Sequence, residues 1–321
     1  MSAVLSDDGA PEAYDPRFTL AYMHVPKTSG TAMRHGIATA IGAERTFYGL
    51  DRSSFGAYTG FDTMSRTIGE RVYATPADLP RNQDFMAGHF ALSTLQAAYP
   101  DAQIITFLRE PLSRTLSHWM YWRSIGNRKL RHWGDWAESV RCSHGTLADF
   151  LDTPQVACVT DNILLRMLLW PHPLIPDGGF IAPGHDAVLM LAARERLAQL
   201  AYADVIENPD FLSDFTRWLQ HPLSYAEKNV TNYLPAHRTV AMHQELSDRA
   251  MALLDARTRL DLRLWQLTAQ QHVRRGTVED LRVASIARSI ARHSRLACGS
   301  PPREWSPSWL QRLRGRKPTA V

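Results

Sequence analysis

Cysteine is scarce in this 321-residue chain, which contains only Cys142, Cys158 and Cys298. The number is odd and no two of them form a C-x-x-C pair, so neither a disulfide framework nor a redox dithiol is indicated. His132 and His144 flank Cys142, but at separations that fit no standard zinc site. We therefore predict a cytoplasmic protein that needs no metal.

Long apolar runs are also missing. The best one, residues 163–170, is short and is interrupted by Arg166, whereas a membrane-spanning helix needs about 20 apolar residues. Residues 1–15 carry four acidic side chains and no apolar stretch, which argues against a signal peptide or a membrane anchor. We interpret residues 1–16 as a disordered leader and predict no transmembrane segment.

The formal net charge of +4 is distributed unevenly along the chain. Residues 276–321 hold nine Lys/Arg and three Asp/Glu, which leaves the rest of the chain at about −2. The main body therefore gives poor evidence for a nucleic-acid partner, and none is predicted. We interpret residues 276–321 as a basic helical extension and tail, either simply solvated or bound to an anionic partner or membrane surface.

Hydrophobic residues make up 45% of the chain and charged residues 21%, as in ordinary globular proteins. Apolar, β-branched runs predict strands at residues 18–25, 103–108 and 202–206, and a short apolar run at residues 84–87 ends at Gly88-His89. Strands that alternate with helical stretches predict an α/β fold, with a P-loop-like, mostly parallel sheet flanked by helices, in one domain over residues 17–275. Helices are expected up to residue 41 and at residues 91–98, 111 onward, 146–152, 160–169, 185–200, 247–272 and 278–296; residues 45–82 and 126–145 are expected to be irregular.

A first chemical signal is the hexapeptide at residues 26–31, PKTSGT, which lies between a strand and a helix. A turn at a helix N-terminus presents free backbone N–H groups and the positive end of the helix dipole, both of which favour a phosphate. Lys27 adds a cation, Gly30 permits close approach of the backbone, and hydroxyl donors come from Thr28, Ser29 and Thr31. Because Lys27 precedes the glycine and the leading glycine of a nucleotide P-loop is missing, a magnesium–triphosphate arrangement is not expected. A plain turn with a helix cap is the alternative.

A second signal follows the strand at residues 103–108. Arg109 leaves the end of that strand, and Ser117 lies about two turns into the next helix. Because the carboxyl ends of parallel strands share one edge, both side chains are expected near Lys27, where they can bind a phosphate. The alternatives are an ion pair for Arg109 and a hydrogen bond from Ser117 to a helix carbonyl. Glu110 and Arg114, spaced i,i+4, are expected to pair with each other.

These two blocks resemble the signatures of sulfotransferases that use 3′-phosphoadenosine-5′-phosphosulfate (PAPS), in the carbohydrate branch that includes the heparan sulfate 2-O type. The family's P-K-T-G-G-T is similar to residues 26–31, and its L-R-D-P-x-x-R-x-x-S is similar to residues 108–117. The resemblance implies transfer of a sulfuryl group from PAPS to a hydroxyl, expected on a carbohydrate or glycoconjugate, with a small hydroxylated metabolite left open. It implies that the 3′-phosphate is held by Arg109 and Ser117, and the 5′ side by Lys27, Thr28, Ser29, Gly30 and Thr31.

Weaker similarities extend the resemblance to about residues 19–270. Gly88-His89 lies where this branch often carries its catalytic base, so His89 is the predicted base, with His118 as runner-up, and His24 is expected to point into the sheet. Ser29 and Glu110 replace the family's commoner Gly and Asp, and Ser29 is expected to have negative φ or a strained left-handed one. The other similar stretches are Asp161-Asn162 with Arg166, residues 205–207, Asn229-Val230 and residues 260–262.

The catalytic roles follow from the chemistry of in-line group transfer, in which a protein mainly positions the partners and balances charge. Lys27 is predicted to stabilise the leaving phosphate oxygen, and a histidine suits removal of the acceptor proton. The rival interpretations are a kinase that uses ATP and magnesium, and a non-catalytic nucleotide-binding protein. The Trp- and Arg-rich segment at residues 119–136 is interpreted either as a surface that stacks on the acceptor or as an amphipathic helix with a loop.

Overall fold

The structure, a computed structural model, describes residues 13–224 and 234–298. Its centre is a six-stranded sheet with the strand order β3-β2-β4-β1-β5-β6, in which every neighbouring pair is parallel. This confirms the predicted α/β class. The strands are β1 Leu20–Met23, β2 Thr46–Asp51, β3 Val72–Tyr73, β4 Phe85–His89, β5 Gln103–Leu108 and β6 Tyr202–Val205.

The central strands are apolar throughout because both faces of the sheet are covered. Successive side chains of a strand point to opposite faces, so β1 contributes Leu20 and Tyr22 to one apolar cluster and Ala21 and Met23 to the other. β5 lies beside β1 and divides its side chains in the same way. The sheet is therefore the partition between two apolar cores.

The helices cover both faces, as predicted. Phe211 and Phe215 from one helix pack with Met33 and Ile37 from another on the face that holds Tyr22. The helices are α1 Gly30–Ala40, α2 Arg66–Gly69, α3 Leu92–Ala98, α4 Pro111–Ser124, α5 Asn127–Leu130, α6 Trp136–Arg141, α7 Leu147–Leu151, α8 Ala157–Thr160, α9 Ile163–Leu169, α10 Asp186–Leu197, α11 Phe211–Leu219, α12 Met242–Glu245, α13 Asp248–His272 and α14 Val278–Cys298.

Two regions that were expected to be irregular contain regular structure. Residues 45–82 include β2 and β3, and residues 126–145 include α5 and α6. The prediction failed for β2 because most of its side chains are only partly buried, so the strand lacks the continuous apolar pattern of β5. Its pairing with β4 and β3 comes from tertiary structure rather than from a local sequence signal.

The tryptophans of residues 119–136 belong to the core rather than to an exposed stacking surface. Trp119, Trp122 and Trp136 are all buried. The ring of Trp136 packs edge-on against Trp122 and Phe55. This favours the helix-and-loop interpretation of the segment, and Tyr121 is the aromatic ring that remains exposed on α4.

The two predicted flanking segments are described only in part. Of the predicted leader, residues 1–12 lie outside the described residues, whereas Tyr14 is buried and its N–H donates to the carbonyl of Trp218 at 2.9 Å. Of the predicted extension, residues 299–321 lie outside them. The part that is described forms α14, which buries Val283, Ile286 and Ile290.

Among the residues that the structure describes, no helix has the length and apolarity needed to cross a membrane.

Phe107 lies at the centre of one core and provides a test of the fold. Its side chain is 0% exposed, and its ring lies 4.9–5.0 Å from those of Tyr22, Phe211 and Phe215. We expect Phe107→Ala to lower the free energy of unfolding by about 3–5 kcal/mol because it leaves a cavity between the sheet and α11. Phe18→Ala is the control, since Phe18 is 41% exposed. Urea denaturation checks both variants, and equal losses would contradict this packing.

Candidate anion-binding and active site

The two predicted phosphate blocks lie on either side of the point where the sheet topology reverses. After β1 the chain passes to β2 on one side of the sheet, and after β5 it reaches β6 on the other. β1 and β5 are adjacent and parallel, so their following loops diverge from a common crevice at the carboxyl edge. Such a crevice is where open α/β sheets bind ligands.

The loop after β1 has a constrained backbone. Lys27 has φ 74° and Ser29 has φ 64°, both in the left-handed region. Ser29, which directly precedes α1, therefore has the strained left-handed backbone and not the negative φ that was the other expectation. The hydroxyl of Thr28 donates to the carbonyl of Val25 at 2.8 Å and is buried. Two left-handed residues around an anchored threonine turn the loop tightly over the N-terminus of α1, as an anion-binding turn requires.

Gly30 is needed at its position, but for a reason that the sequence did not reveal. A Cβ on Gly30 would lie 1.8 Å from Nε2 of His24. The buried imidazole of His24 therefore occupies the space that a side chain at residue 30 would need. His24 does point into the interior, as expected, and its Nε2 has no hydrogen-bond partner among the described residues.

The loop and the end of β5 are in direct contact. Nη1 of Arg109 donates a hydrogen bond to the carbonyl of Lys27 at 3.2 Å. Ser117 is half-buried on α4, and Tyr121 follows it by one turn on the same face. The Lys27 Nζ lies 4.3 Å from the ring centroid of Tyr121. Lys27 thus lies between Arg109 and the face of α4 that carries Ser117 and Tyr121, and the region between these three is called the crevice.

The crevice concentrates positive charge. Burial, and then the charges of Arg109, Arg292 and Arg114, lower the pKa of Lys27 to about 7. Burial also lowers the pKa of Arg109; the carboxylates of Glu207 and Glu110 oppose this effect, and the charges of Arg292 and Arg288 add to it. Burial lowers the pKa of Arg114 to about 10. Each positive charge disfavours the protonated form of its neighbours, and a bound anion would relieve this repulsion.

Several buried side-chain nitrogens in the same region lack hydrogen-bond partners among the described residues. Nε and Nη1 of Arg114 are unpaired, and so are both ring nitrogens of His118. Burial lowers the pKa of His118 well below its ordinary value, so this ring is neutral. Buried polar groups are nearly always hydrogen-bonded, so unpaired donors at a crevice are consistent with a ligand or ordered water there.

His89 lies at the end of β4 with a defined tautomer. Its Nδ1 is 2.7 Å from the carbonyl of His24, so this nitrogen carries the hydrogen and donates. Nε2 then accepts from the hydroxyl of Tyr48 at 3.1 Å, and the guanidinium of Arg34 lies 4.3 Å from the Tyr48 ring centroid. Burial lowers the pKa of His89 to about 4, aided by the charges of Lys27 and Arg34. The ring is therefore neutral at pH 7 and has a lone pair on Nε2.

Glu110 has a different role from the one expected, because it does not pair with Arg114. Its carboxylate accepts from the N–H groups of Leu112 and Ser113 at 3.3 and 2.7 Å and so caps α4. The nearest cation is Arg282 of α14, at 3.7 Å. Arg114 donates instead to the hydroxyl of Thr115 and to a carbonyl. The cap outcompetes the i,i+4 pair because it satisfies the free N–H groups of the first helical turn.

The similar stretches at Asp161-Asn162, Arg166 and residues 260–262 make structural contacts, although Asp261 also lies beside Arg109 and Arg114. Asp161 and Arg166 form a buried ion pair at 2.8 Å. The side chain of Asn162 accepts from the backbone N–H of Leu260 at 2.8 Å, and the carboxylate of Asp261 accepts from two N–H groups at the start of α9. These bonds fasten α9 to α13. Asn229-Val230 lies outside the described residues.

Three side chains of this site were missed by the sequence reasoning. Tyr48 lies on β2, which was predicted to be irregular, although the aromatic run in TFYGLD could have indicated a strand. Tyr121 was included only in the general aromatic segment. Arg292 was placed in an extension interpreted as either solvated or bound to an anionic partner or membrane surface, although Val283, Ile286 and Ile290 at helical spacing could have indicated a packed face.

Within residues 13–224 and 234–298, no group of three or more His, Cys, Asp or Glu side chains is arranged to hold a metal ion.

No protein-family model matches the chain, and a comparison with curated proteins gave no match.

The unusual pKa of Lys27 can be measured directly because the chain has only four lysines, Lys27, Lys129, Lys228 and Lys317. After ¹³C-methylation of the amines, NMR titration should show one lysine resonance with a midpoint near 7, which Lys27→Met removes while the resonance of the N-terminal α-amine, titrating at about 7.7–8.0, persists. A bound anion stabilises the protonated amine, so added 3′-phosphoadenosine-5′-phosphate should raise that midpoint. The exposed Lys129 is the internal control. A midpoint near 10.5 for every lysine would contradict the charge crowding.

Proposed function

We propose that this protein is a sulfotransferase that moves a sulfuryl group from PAPS to an acceptor hydroxyl. The observation that supports it most directly is the contact between Arg109 and the carbonyl of Lys27. It brings together the two sequence blocks that resemble the family's 5′-phosphosulfate and 3′-phosphate signatures. The same crevice has an excess of cations and unpaired donors, which suits a ligand with two phosphorylated ends.

In this proposal the loop at residues 26–31 binds the 5′ side of the co-substrate. Its backbone N–H groups lie at the start of α1, and Lys27 is beside them as a mobile cation. Lys27 leaves the Tyr121 ring and stabilises the charge that develops on the bridging phosphate oxygen as the sulfur–oxygen bond breaks. Arg109 and Ser117 bind the 3′-phosphate.

His89 is the proposed general base. Nδ1 is committed to the carbonyl of His24, so Nε2 is the atom that takes the proton from the acceptor hydroxyl as its oxygen bonds to sulfur. In the ligand-free protein Nε2 accepts from Tyr48, which holds the place that an acceptor hydroxyl would take. An anion beside Lys27 and Arg34 raises the pKa of His89 from about 4 toward the neutral range that favours proton transfer.

The acceptor class is the least constrained part of the proposal. A carbohydrate or glycoconjugate follows from the resemblance to one branch of the family, and a small hydroxylated metabolite is the alternative. Labelled PAPS offered to a panel of glycans and phenols, with the products identified by mass spectrometry, would identify the acceptor.

The proposed co-substrate can be distinguished from ATP by thermal stabilisation. We expect 3′-phosphoadenosine-5′-phosphate without added metal to raise the melting temperature more than ATP with magnesium does.

We expect Arg109→Ala to weaken binding of 3′-phosphoadenosine-5′-phosphate by about 1.5–3 kcal/mol, the range for a charged hydrogen bond. Arg81→Ala is the control, since Arg81 is exposed just before β4, at the opposite edge of the sheet. Stronger stabilisation by ATP and magnesium would favour a kinase, and an unchanged affinity in Arg109→Ala would move the 3′ site elsewhere.

The role of the proposed base is tested by His89→Ala. We expect turnover to fall by about 10²–10⁴-fold while the affinity for 3′-phosphoadenosine-5′-phosphate stays unchanged, because the ring acts on the acceptor rather than on the nucleotide. His35→Ala is the control, since His35 is exposed on α1. Loss of nucleotide affinity would make His89 a structural residue, and unchanged turnover would favour His118 or a non-catalytic protein.

A further inference from the structure

The C-terminal helix α14 runs alongside α4 in the same direction. Near its start, Nε of Arg282 lies 3.7 Å from the carboxylate of Glu110, the cap of α4. Further along, the hydroxyl of Ser285 lies 3.3 Å from that of Ser113, and the hydroxyl of Ser289 donates to the carbonyl of Ser113 at 3.4 Å. Arg282 and Ser285 contact residues that are likewise three apart on α4, and Ser289 contacts the carbonyl of Ser113, so the two helices run in the same direction.

This arrangement carries the next turns of α14 to the crevice. Arg292 lies seven residues after Ser285, so it is on the helix face that contacts α4. Ser117 lies one turn after Ser113 on α4. Arg292 is therefore brought to the level of Ser117, the side of the crevice where Arg109 leaves β5.

The electrostatics agree with this placement. Burial is the main cause of the lowered pKa of Lys27, Arg109 and His293, and the charge of Arg292 lowers all three further, as that of Arg288 does for Arg109. Within the described parts of the chain, no carboxylate forms an ion pair with Arg288 or Arg292. The adjacent His293 is 3% exposed, and its Nδ1 has no partner among those same residues. The end of α14 thus adds cations and an unpaired buried nitrogen to the crevice without adding a counter-charge.

We infer that α14 is part of the nucleotide site and that Arg292 is a second cation for the 3′-phosphate, beside Arg109 and Ser117. The inference rests on the proposed function. A terminal phosphate carries nearly two negative charges near neutral pH, so a single arginine leaves part of its charge unbalanced. The anionic partner of the basic residues of α14 is then the co-substrate of the protein itself.

The test compares Arg292→Gln with Arg295→Gln, which removes the same charge from an exposed position of the same helix. The ligands are 3′-phosphoadenosine-5′-phosphate and adenosine-5′-phosphate, which lacks the 3′-phosphate, and binding is measured by calorimetry without metal. We expect Arg292→Gln to weaken binding of the bisphosphate by about 10- to 100-fold. Its affinity for adenosine-5′-phosphate should change by less than about twofold, and Arg295→Gln should change both affinities equally little.

Two outcomes would overturn the inference. Equal weakening by Arg292→Gln and Arg295→Gln would mean that α14 contributes only a diffuse positive field. Equal weakening of both nucleotides by Arg292→Gln would place Arg292 away from the 3′-phosphate.

Failure of the proposed co-substrate has a different signature, because the unmodified protein would then gain no thermal stability from the bisphosphate. The inference that α14 binds the nucleotide would in that case be decided with ATP and magnesium. Less stabilisation of Arg292→Gln than of Arg295→Gln would support it, and equal stabilisation would reject it.

Discussion

The carboxylate of Glu207, which follows β6, is the connection on which the crevice depends. One of its oxygens accepts from the N–H of Glu110 at 3.0 Å and from the hydroxyl of Ser285 at 2.8 Å, and the other accepts from the indole of Trp265 at 3.1 Å. This buried group therefore joins the ends of β5 and β6 to α13 and α14. Its negative charge also raises the pKa of Arg109 against the effect of burial. It positions the elements that carry the cations and compensates part of their repulsion.

The remaining repulsion links ligand binding to the stability of the fold. Lys27, Arg109 and Arg114 are held close together by elements whose apolar faces are already buried, so they cannot separate without disturbing the core. The free-energy cost of holding these cations together is offset by burial of the apolar side chains on the same elements. An anion that enters meets preorganised donors, and its binding also relieves like-charge repulsion.

The sequence allowed prediction of the parts of this arrangement that have a local cause. β5 was predicted at its observed bounds because a strand covered on both faces must be apolar throughout. The meeting of Lys27 and Arg109 followed from the rule that parallel strands end at one edge. β2 could not be predicted, because its side chains are only half-buried and the strand is defined by its pairing with β3 and β4. Arg292 was missed for a similar reason, since a count of charges over a segment does not show which face of a helix packs.

His24 links the loop that turns around Gly30 to the imidazole of His89. Its ring is pressed against Gly30 on one side and lies 4.6 Å from the ring of His89 on the other, and its carbonyl fixes the orientation of His89. A side chain larger than hydrogen at residue 30 would displace that ring and, with it, the neighbouring imidazole. The glycine thus constrains the position of the His89 ring as well as the shape of the loop, so the two cannot be altered independently by substitution at this position.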